Sequence, residues 1–357
     1  MILRASLSPE CFINTSQDSN ISSLMVGILI SLEKNCEILV DDQLIVPSIT
    51  RILNSTQWPL THRKKAKELL ERIRHNKRII RSPHVSNPSQ TPCTSSDCRQ
   101  IAALIENKNP DVLITPNKCH SFFLPHIKPS ITELTSPTEY HFSKFHSNTQ
   151  QIQQYSKAEG EVDIIWAENM IFSPIFRNAK HIKIIDRYIG RSICSLDPSV
   201  TPKLDQQYID TLEWLCDIHQ KSLIKNGKQD IGTFEIWCGV QKNHLSQKSI
   251  QDCAKLLSDW EKHMNNKGVK LKVHLKLEDH NNTMEHARYL ITEQMGISIE
   301  CGFALLLPDQ KMSRFGKTPK KDPRLLRDFL ITIVDIENIR RITSHLSRLT
   351  DISLQVS

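Results

Sequence analysis

The sequence predicts an α/β protein of two domains, and three observations carry that expectation. Short apolar runs rich in Ile, Val and Leu alternate with stretches of helical periodicity through both halves of the chain. Such alternation is the pattern of a parallel sheet with crossover helices. The length, 357 residues, suits two domains of about 100–200 residues each. Between the halves lies a stretch with little periodicity, holding Pro125, Pro129 and Pro137 among many Ser, Thr and Gln. The expected division is therefore a domain over 1–119, a linker or irregular region over 120–159, and a second domain over 160–357.

In the first half, Cys11 to Thr15 reads as a short strand ending in a polar loop. Ser22 to Glu33 reads as a helix, Glu37 to Asp41 as a strand, and Pro47 to Leu53 as the start of another helix. A basic helix follows over His62 to Arg81. Pro, Ser and Thr over 82–96 mark a loop. An acidic residue opens the helical stripe Asp97 to Glu106, and Asp111 to Thr115 is a buried strand. The pair Asp41-Asp42 reads as surface or turn, since adjacent strand residues point to opposite faces.

In the second half, His181 to Asp186 is a strand and Leu204 to Ile224 a helix. Phe234 to Cys238 is a strand, and Ser246 to Met264 a helix with Ile250, Cys253, Leu257 and Trp260 at helical spacing. Val269 to Leu275 alternates with period two. Ala287 to Thr292 and Ile297 to Cys301 read as a hairpin, so this half mixes crossovers with an antiparallel end. Phe329 to Val334 and a helix over Ile336 to Leu349 close the domain.

The composition, 39% hydrophobic and 24% charged, excludes a mainly disordered or collagen-like chain. The longest apolar run, Leu24 to Leu32, is broken by Gly27 and Ser31 and falls short of the roughly 20 residues of a spanning helix. Arg4, Pro9, Glu10 and Asn14 leave no signal-peptide core. The ten cysteines include no C-x-x-C, so neither a zinc ribbon nor a thioredoxin motif is supported. Reduced thiols in the cytoplasm are expected.

The net charge of +7 comes from 46 Lys and Arg against 39 Asp and Glu. The excess is concentrated in 62–81, where Lys64, Lys65 and Arg72 are candidate phosphate contacts. A solvated helix face with Leu69, Leu70 and Ile73 inward explains the same pattern. The Lys- and Arg-rich stretch Lys311 to Arg327 is read as a solvated loop, with phosphate contact as its alternative.

The segment Glu285 to Glu293 places His286, Arg288 and Glu293 as His-x-Arg-x4-Glu. Residues i and i+2 of a strand share a face, so His286 and Arg288 are expected to point into one pocket. An imidazole attacks phosphorus, a guanidinium holds phosphoryl oxygens, and a carboxylate orients an imidazole. Upstream, His181 and Lys183 repeat the spacing, with Asp186, Arg187 and Tyr188 at the strand's end. Loops beyond strand carboxyl ends often line pockets in open α/β sheets.

Taken together, Ala179 to Ile189, Glu285 to Thr292 and Ile297 to Leu306 resemble the phospholipase D-like domain found at the C-terminus of microtubule-interacting-and-trafficking proteins and in bacterial relatives. The resemblance covers about 160–350. Active members of the wider superfamily carry His-x-Lys-x4-Asp twice, the two copies forming one site. It implies a mixed-sheet α/β domain with His286 as nucleophile or acid, Arg288 as phosphate binder and Glu293 as acidic partner. Here Arg replaces Lys, Glu replaces Asp, and the upstream copy keeps His181 and Lys183 with Asp186 at a different spacing. A symmetric homodimer is one source of a second His.

The first half more weakly resembles a PIN-like nuclease, a three-layer α/β fold. The likeness rests on Phe12 to Thr15, on Asp97 opening its helix, and on Asp111 to Asn117. That family holds divalent metal with carboxylates. Asn14 and Asn117 stand at two acidic positions, which implies a degenerate module that binds or assembles. No cofactor is expected, except a divalent metal at Asp97 and Asp111 if this half is active. The functional expectation is a nucleic-acid-processing phosphodiesterase, by analogy a component of bacterial genome defence. Its alternative is an inactive phosphate-binding scaffold for nucleic acid or anionic lipid.

Overall fold

The structure, a computed structural model, describes residues 2–13, 20–41, 45–55, 57–82, 96–128, 132–151, 154–157, 163–193, 202–225, 232–241, 246–279, 282–300, 302–306, 326, 329–334 and 336–352. It is an α/β protein with two sheets. The chain divides into a first unit, 2–152, and a second unit, 153–357.

The first unit runs β1 (Leu3–Leu7), α1 (Ile21–Asn35), β2 (Cys36–Asp41), α2 (Ile45–Asn54), α3 (Leu60–His75), β3 (Ile79–Ser82), α4 (Ser96–Lys108), β4 (Val112–Ile114), α5 (His120–Phe123), β5 (Glu133–Thr135) and α6 (Lys144–Gln151). All five strands are parallel, in the order β3-β2-β1-β4-β5. This doubly wound order reverses direction between β1 and β4. β1 lies at the centre, and Ala5 and Leu7 are fully buried. A central strand covered on both faces need not alternate, so its sequence, LRASL, did not announce it.

The strand expected over Cys11 to Thr15 is instead a 3-10 turn over Pro9–Phe12. The Ser8 hydroxyl accepts the Glu10 N–H at 3.3 Å and Pro9 pre-sets the turn. Asn14 and Thr15 fall outside the described residues. The Phe12 carbonyl accepts the Trp58 indole N–H at 2.8 Å, holding both rings in the core. The basic helix stops at His75, because Ile79 to Ser82 pair with Ile38 to Asp41 as β3. Asp41 closes β2 and is buried, not on the surface; Asp42 lies outside the described residues.

Most of the region expected as a linker, up to 151, folds onto the first unit, while Gln154–Lys157 forms β6 of the second. β5 pairs with β4 from Val112↔Glu133 to Ile114↔Thr135. Phe123, Tyr140 and Phe145 join the core of Leu29, Ile38 and Ile101. The division therefore falls at 152/153, not at 119 and 160. Aromatic residues scattered without period carry this packing, and periodicity does not detect them.

The second unit holds β6 (Gln154–Lys157), α7 (Ile164–Ala167), α8 (Ser173–Phe176), β7 (His181–Ile185), α9 (Arg187–Ile193), α10 (Gln206–Lys225), β8 (Thr233–Gln241), α11 (Gln247–Asn266), β9 (Lys270–Glu278), β10 (Tyr289–Thr292), β11 (Gly296–Ile299), β12 (Phe329–Val334), α12 (Ile336–Arg348) and β13 (Thr350–Ile352). Its sheet has the order β13-β9-β8-β7-β10-β11-β12-β6. β7, β8 and β9 are parallel, and every other pairing is antiparallel. On one face Ile342, Leu346 and Leu349 pack against Ile185, Met284, Tyr289 and Ile291. No helix among the described residues is long and apolar enough to cross a membrane. Six described cysteines, Cys11, Cys36, Cys98, Cys119, Cys216 and Cys238, are buried thiols outside any disulfide. Cys253 is disulfide-bonded, which corrects the expectation of reduced thiols at that position. The stretch Lys311 to Arg327 lies outside the described residues, except Leu326, which bridges to Leu306.

Candidate functional site

β7 ends at Ile185, and the residues just beyond it build the site. The Asp186 carboxylate accepts the N–H of Tyr188 at 2.9 Å and of Phe303 at 3.2 Å. The first bond starts α9 and the second ties the loop after β11 to the end of β7. Burial raises the Asp186 carboxyl above its ordinary value, against the pull of those two N–H groups and of Arg288. Gly302 makes this closeness possible. It has φ +77, and a Cβ there would stand 3.0 Å from Asp186 Oδ2 and 3.2 Å from Arg288 Nε.

Helix α9 presents Arg187, Tyr188 and Arg191. Glu278, the last residue of β9, is fully enclosed beside them. Its Oε1 accepts the Met284 N–H at 2.7 Å and lies 3.3 Å from Arg187 Nη2. Its Oε2 accepts Arg191 Nη2 at 2.9 Å and Nε at 3.2 Å. Burial raises the Glu278 carboxyl, opposed by the Met284 N–H, Arg191 and His286. The close seat of α9 depends on Gly190, whose Cβ would lie 2.5 Å from the Gly239 carbonyl oxygen.

His286 and Arg288 meet this cluster from the other side. Register decides it: Tyr289 pairs with Ile185, antiparallel, so the residues before β10 arrive at the carboxyl end of β7. His286 Nδ1 lies 3.2 Å from the Tyr188 hydroxyl. The Arg288 guanidinium sits 4.6 Å from the centre of the Tyr188 ring, Arg191 at 5.7 Å and Arg187 at 5.9 Å. Arg288 also donates to the Glu300 carbonyl and stands 3.9 Å from Asp186. Three guanidiniums thus ring one phenol beside an exposed imidazole. The Arg187 side chain is only 3% exposed. Its Nε and Nη1 have no hydrogen-bond partner among the described residues.

Some sequence expectations meet here and others do not. His286 and Arg288 come together, but not from neighbouring β positions. β10 begins at Tyr289, and both residues precede it. The physical reason is that β7 ends opposite Tyr289, so the residues before it have no partner on β7, and the Arg288 carbonyl is still held from β11, by the Ile299 N–H at 2.8 Å. Glu293 stands at the far end of β10, about 13 Å along four strand residues. There it accepts the backbone N–H groups of Lys180 and His181 at 3.1 Å. Within one chain it is not the acidic partner of His286. His181 and Lys183 sit on β7 toward its amino end, away from the cluster. Lys183 lies 3.5 Å from Glu235 and 5.6 Å from the Trp237 ring centre. Arg191, Glu278 and Gly302 were missed. Arg191 was readable as the helical i+4 neighbour of Arg187; Glu278 and Gly302 gave no local signal.

In the first unit, Lys65 and Arg72 both pair with Glu68 along the exposed face of α3, and Lys64 is exposed beside them. Ala66, Leu69 and Ile73 form the buried face. Asp97 opens α4 and Asp111 follows its end, so the helix separates them by about 20 Å. Asp111 accepts the Arg4 N–H at 2.6 Å. No group of three or more potential metal ligands occurs among the described residues.

No family model, curated protein or solved structure matches the chain.

Proposed function

We propose that the second unit is a phosphate-recognition module in a cytoplasmic protein, that its site is the cluster of Arg187, Arg191, Arg288, Tyr188 and His286, and that its ligand class is nucleic acid. One observation carries the reading. Arg187 is buried with two guanidinium nitrogens lacking an acceptor among the described residues. Buried donors are costly when unpaired. A phosphoryl oxygen supplies acceptors in the fork geometry that arginine favours. Arg288 and His286 add donors at the open side. The carboxyl edge of parallel strands is also where open α/β sheets bind ligands.

Affinity for a fluorescein-labelled single-stranded 12-mer tests it. Arg288→Ala is expected to weaken binding about tenfold or more, as loss of a charge-assisted contact of about 1.5–3 kcal/mol requires. Affinity should also fall steeply with salt. Unchanged affinity in Arg288→Ala removes the assignment.

A phosphodiesterase reading is favoured by one bond. Tyr188 engages His286 Nδ1, which leaves Nε2 for phosphorus. In that scheme Nε2 attacks phosphorus and the P–O bond to the leaving alkoxide breaks. The alkoxide takes a proton from water, and a second water resolves the phosphohistidine. A second His would have to come from a partner copy, since His181 stands elsewhere. Cleavage that persists in EDTA and disappears in His286→Ala favours catalysis; retention without cleavage favours recognition alone.

A further inference from the structure

A cavity of about 320 Å³ lies between α12 and the segment leading into β10, lined by Glu285, Arg341, Ser344, His345 and Arg348. Arg341, Ser344 and Arg348 follow one another at i, i+3 and i+7, on one helix face. The adjoining face, with Ile342 and Leu346, is buried in the core. Arg341 is held by Glu285 at 2.9 Å, and Glu285 also accepts the Tyr289 hydroxyl at 2.8 Å. His345 Nε2 donates to the Thr283 carbonyl at 2.9 Å. Arg348 has no ion-pair partner among the described residues. The cavity therefore presents two guanidiniums and a hydroxyl against one carboxylate.

The two clusters share one backbone segment. Glu285 belongs to the cavity and His286 to the arginine–tyrosine cluster, and consecutive Cα atoms are 3.80 Å apart. The segment is pinned along its length. Thr283 is bonded to His345, Met284 to Glu278, Glu285 to Arg341, His286 to Tyr188 and Arg288 to Glu300. Sites held on rigid supports keep their spacing when a ligand arrives.

We infer that the α12 cavity is a second phosphate subsite, so that the ligand carries two phosphates on one strand, held together by the Arg288 cluster and by Arg348 with Ser344. This rests on the proposed phosphate-recognition reading and names its ligand as a phosphodiester strand rather than a single phosphate. A strand is favoured over a bilayer surface. Among the described side chains of α9, of 283–289 and of α12, no large hydrophobic is exposed, and membrane-seated sites insert such side chains.

The test compares a 5′-mononucleotide, a 5′-phosphorylated dinucleotide and vesicles containing a bisphosphorylated inositol lipid. The wild-type protein, Arg348→Ala, Ser344→Ala and Arg288→Ala are used as full chains. Arg348 is an exposed residue, so its loss should leave the fold intact, which a thermal melt checks. The inference expects Arg348→Ala to weaken the dinucleotide about tenfold and Ser344→Ala about threefold. Neither should change the mononucleotide, while Arg288→Ala weakens both. Equal loss of mono- and dinucleotide in Arg348→Ala, or no loss of either, overturns the second subsite and leaves the first site standing. Undiminished mononucleotide binding in Arg288→Ala overturns the first site itself. An Arg348 effect seen on the vesicles and not on the dinucleotide overturns the strand assignment.

Discussion

Each unit buries an arginine against a glutamate, but at opposite edges of its sheet. In the first unit Arg4, the second residue of β1, meets Glu37, the second residue of β2, at 3.1 Å. Asp111, just before β4, accepts the Arg4 N–H. This network lies at the amino ends of the strands. In the second unit Asp186 follows β7 and Glu278 ends β9, so Arg187, Arg191 and Arg288 gather at the carboxyl ends. The carboxyl edge of parallel strands faces ligands, whereas charges at the amino edge serve stability. The contrast teaches that a buried ion pair is not itself a functional signal; its edge is. The first pair is closed, with Arg4 engaged by Glu37 and by the Lys108 carbonyl. In the second, Arg187 Nε and Nη1 are buried with no hydrogen-bond partner among the described residues, as are Arg78 Nε and Nη1 near the first pair.

Removing the carboxylate in each unit gives the largest expected effect and the sharpest break of the comparison. Glu37→Ala and Glu278→Ala should each cost about 3–5 kcal/mol, the cost of stranding a buried partner. Denaturant melts followed by probes in each unit measure this. At a temperature where both variants stay folded, Glu278→Ala should lose oligonucleotide binding and Glu37→Ala should keep it. Equal loss in both would erase the functional distinction between the edges.

Two glycines give the next effect. Gly190→Ala drives a Cβ into the Gly239 backbone carbonyl at 2.5 Å, with an expected cost of about 1–3 kcal/mol from overpacking. Gly27 lies within α1, where the nearest atom to a Cβ is His141 Nε2 at 3.9 Å. Gly27→Ala should stabilise by about 0.5–1 kcal/mol. A stable Gly190→Ala variant would disprove the tight seat of α9.

The smallest effect is a pH dependence in each unit. Burial, then Lys272, holds His274 below its ordinary 6.5, and burial, then His141, does the same to His146. The unfolded chain therefore binds more protons than the folded one as pH falls below about 6.5, so stability falls with it. Urea midpoints at pH 7.5 and pH 5.5 read this. His274→Phe, which keeps an aromatic ring against Trp237, should flatten the acid side for the second unit. His146→Gln should do so for the first.

Several elements were legible because their burial is one-sided or continuous. The alternation of Val269 to Leu275 announced β9, and the apolar runs at Glu37 to Asp41 and Phe329 to Val334 announced β2 and β12. β1 and β3 were hidden for a different reason. Arg4 and Ser6 interrupt one, and a basic helix runs into the other. The candidate site was half legible. The spacing of His286 and Arg288 and the run Asp186-Arg187-Tyr188 were both visible, but as separate features. Glu293 looked equivalent to a catalytic acid by count alone, and a four-residue strand carries it to the far end of the ladder.

By itself the sequence determined the α/β class, most helices and the chemical character of two short motifs, because periodicity and residue chemistry are local properties. Only the tertiary structure decided that these motifs share a site. His286 and Tyr188 are 98 residues apart, and the antiparallel register of β10 on β7 joins them. The same register sends Glu293 to the other edge. Which end of a strand a side chain reaches depends on its hydrogen-bonded neighbour, and no local pattern encodes that choice.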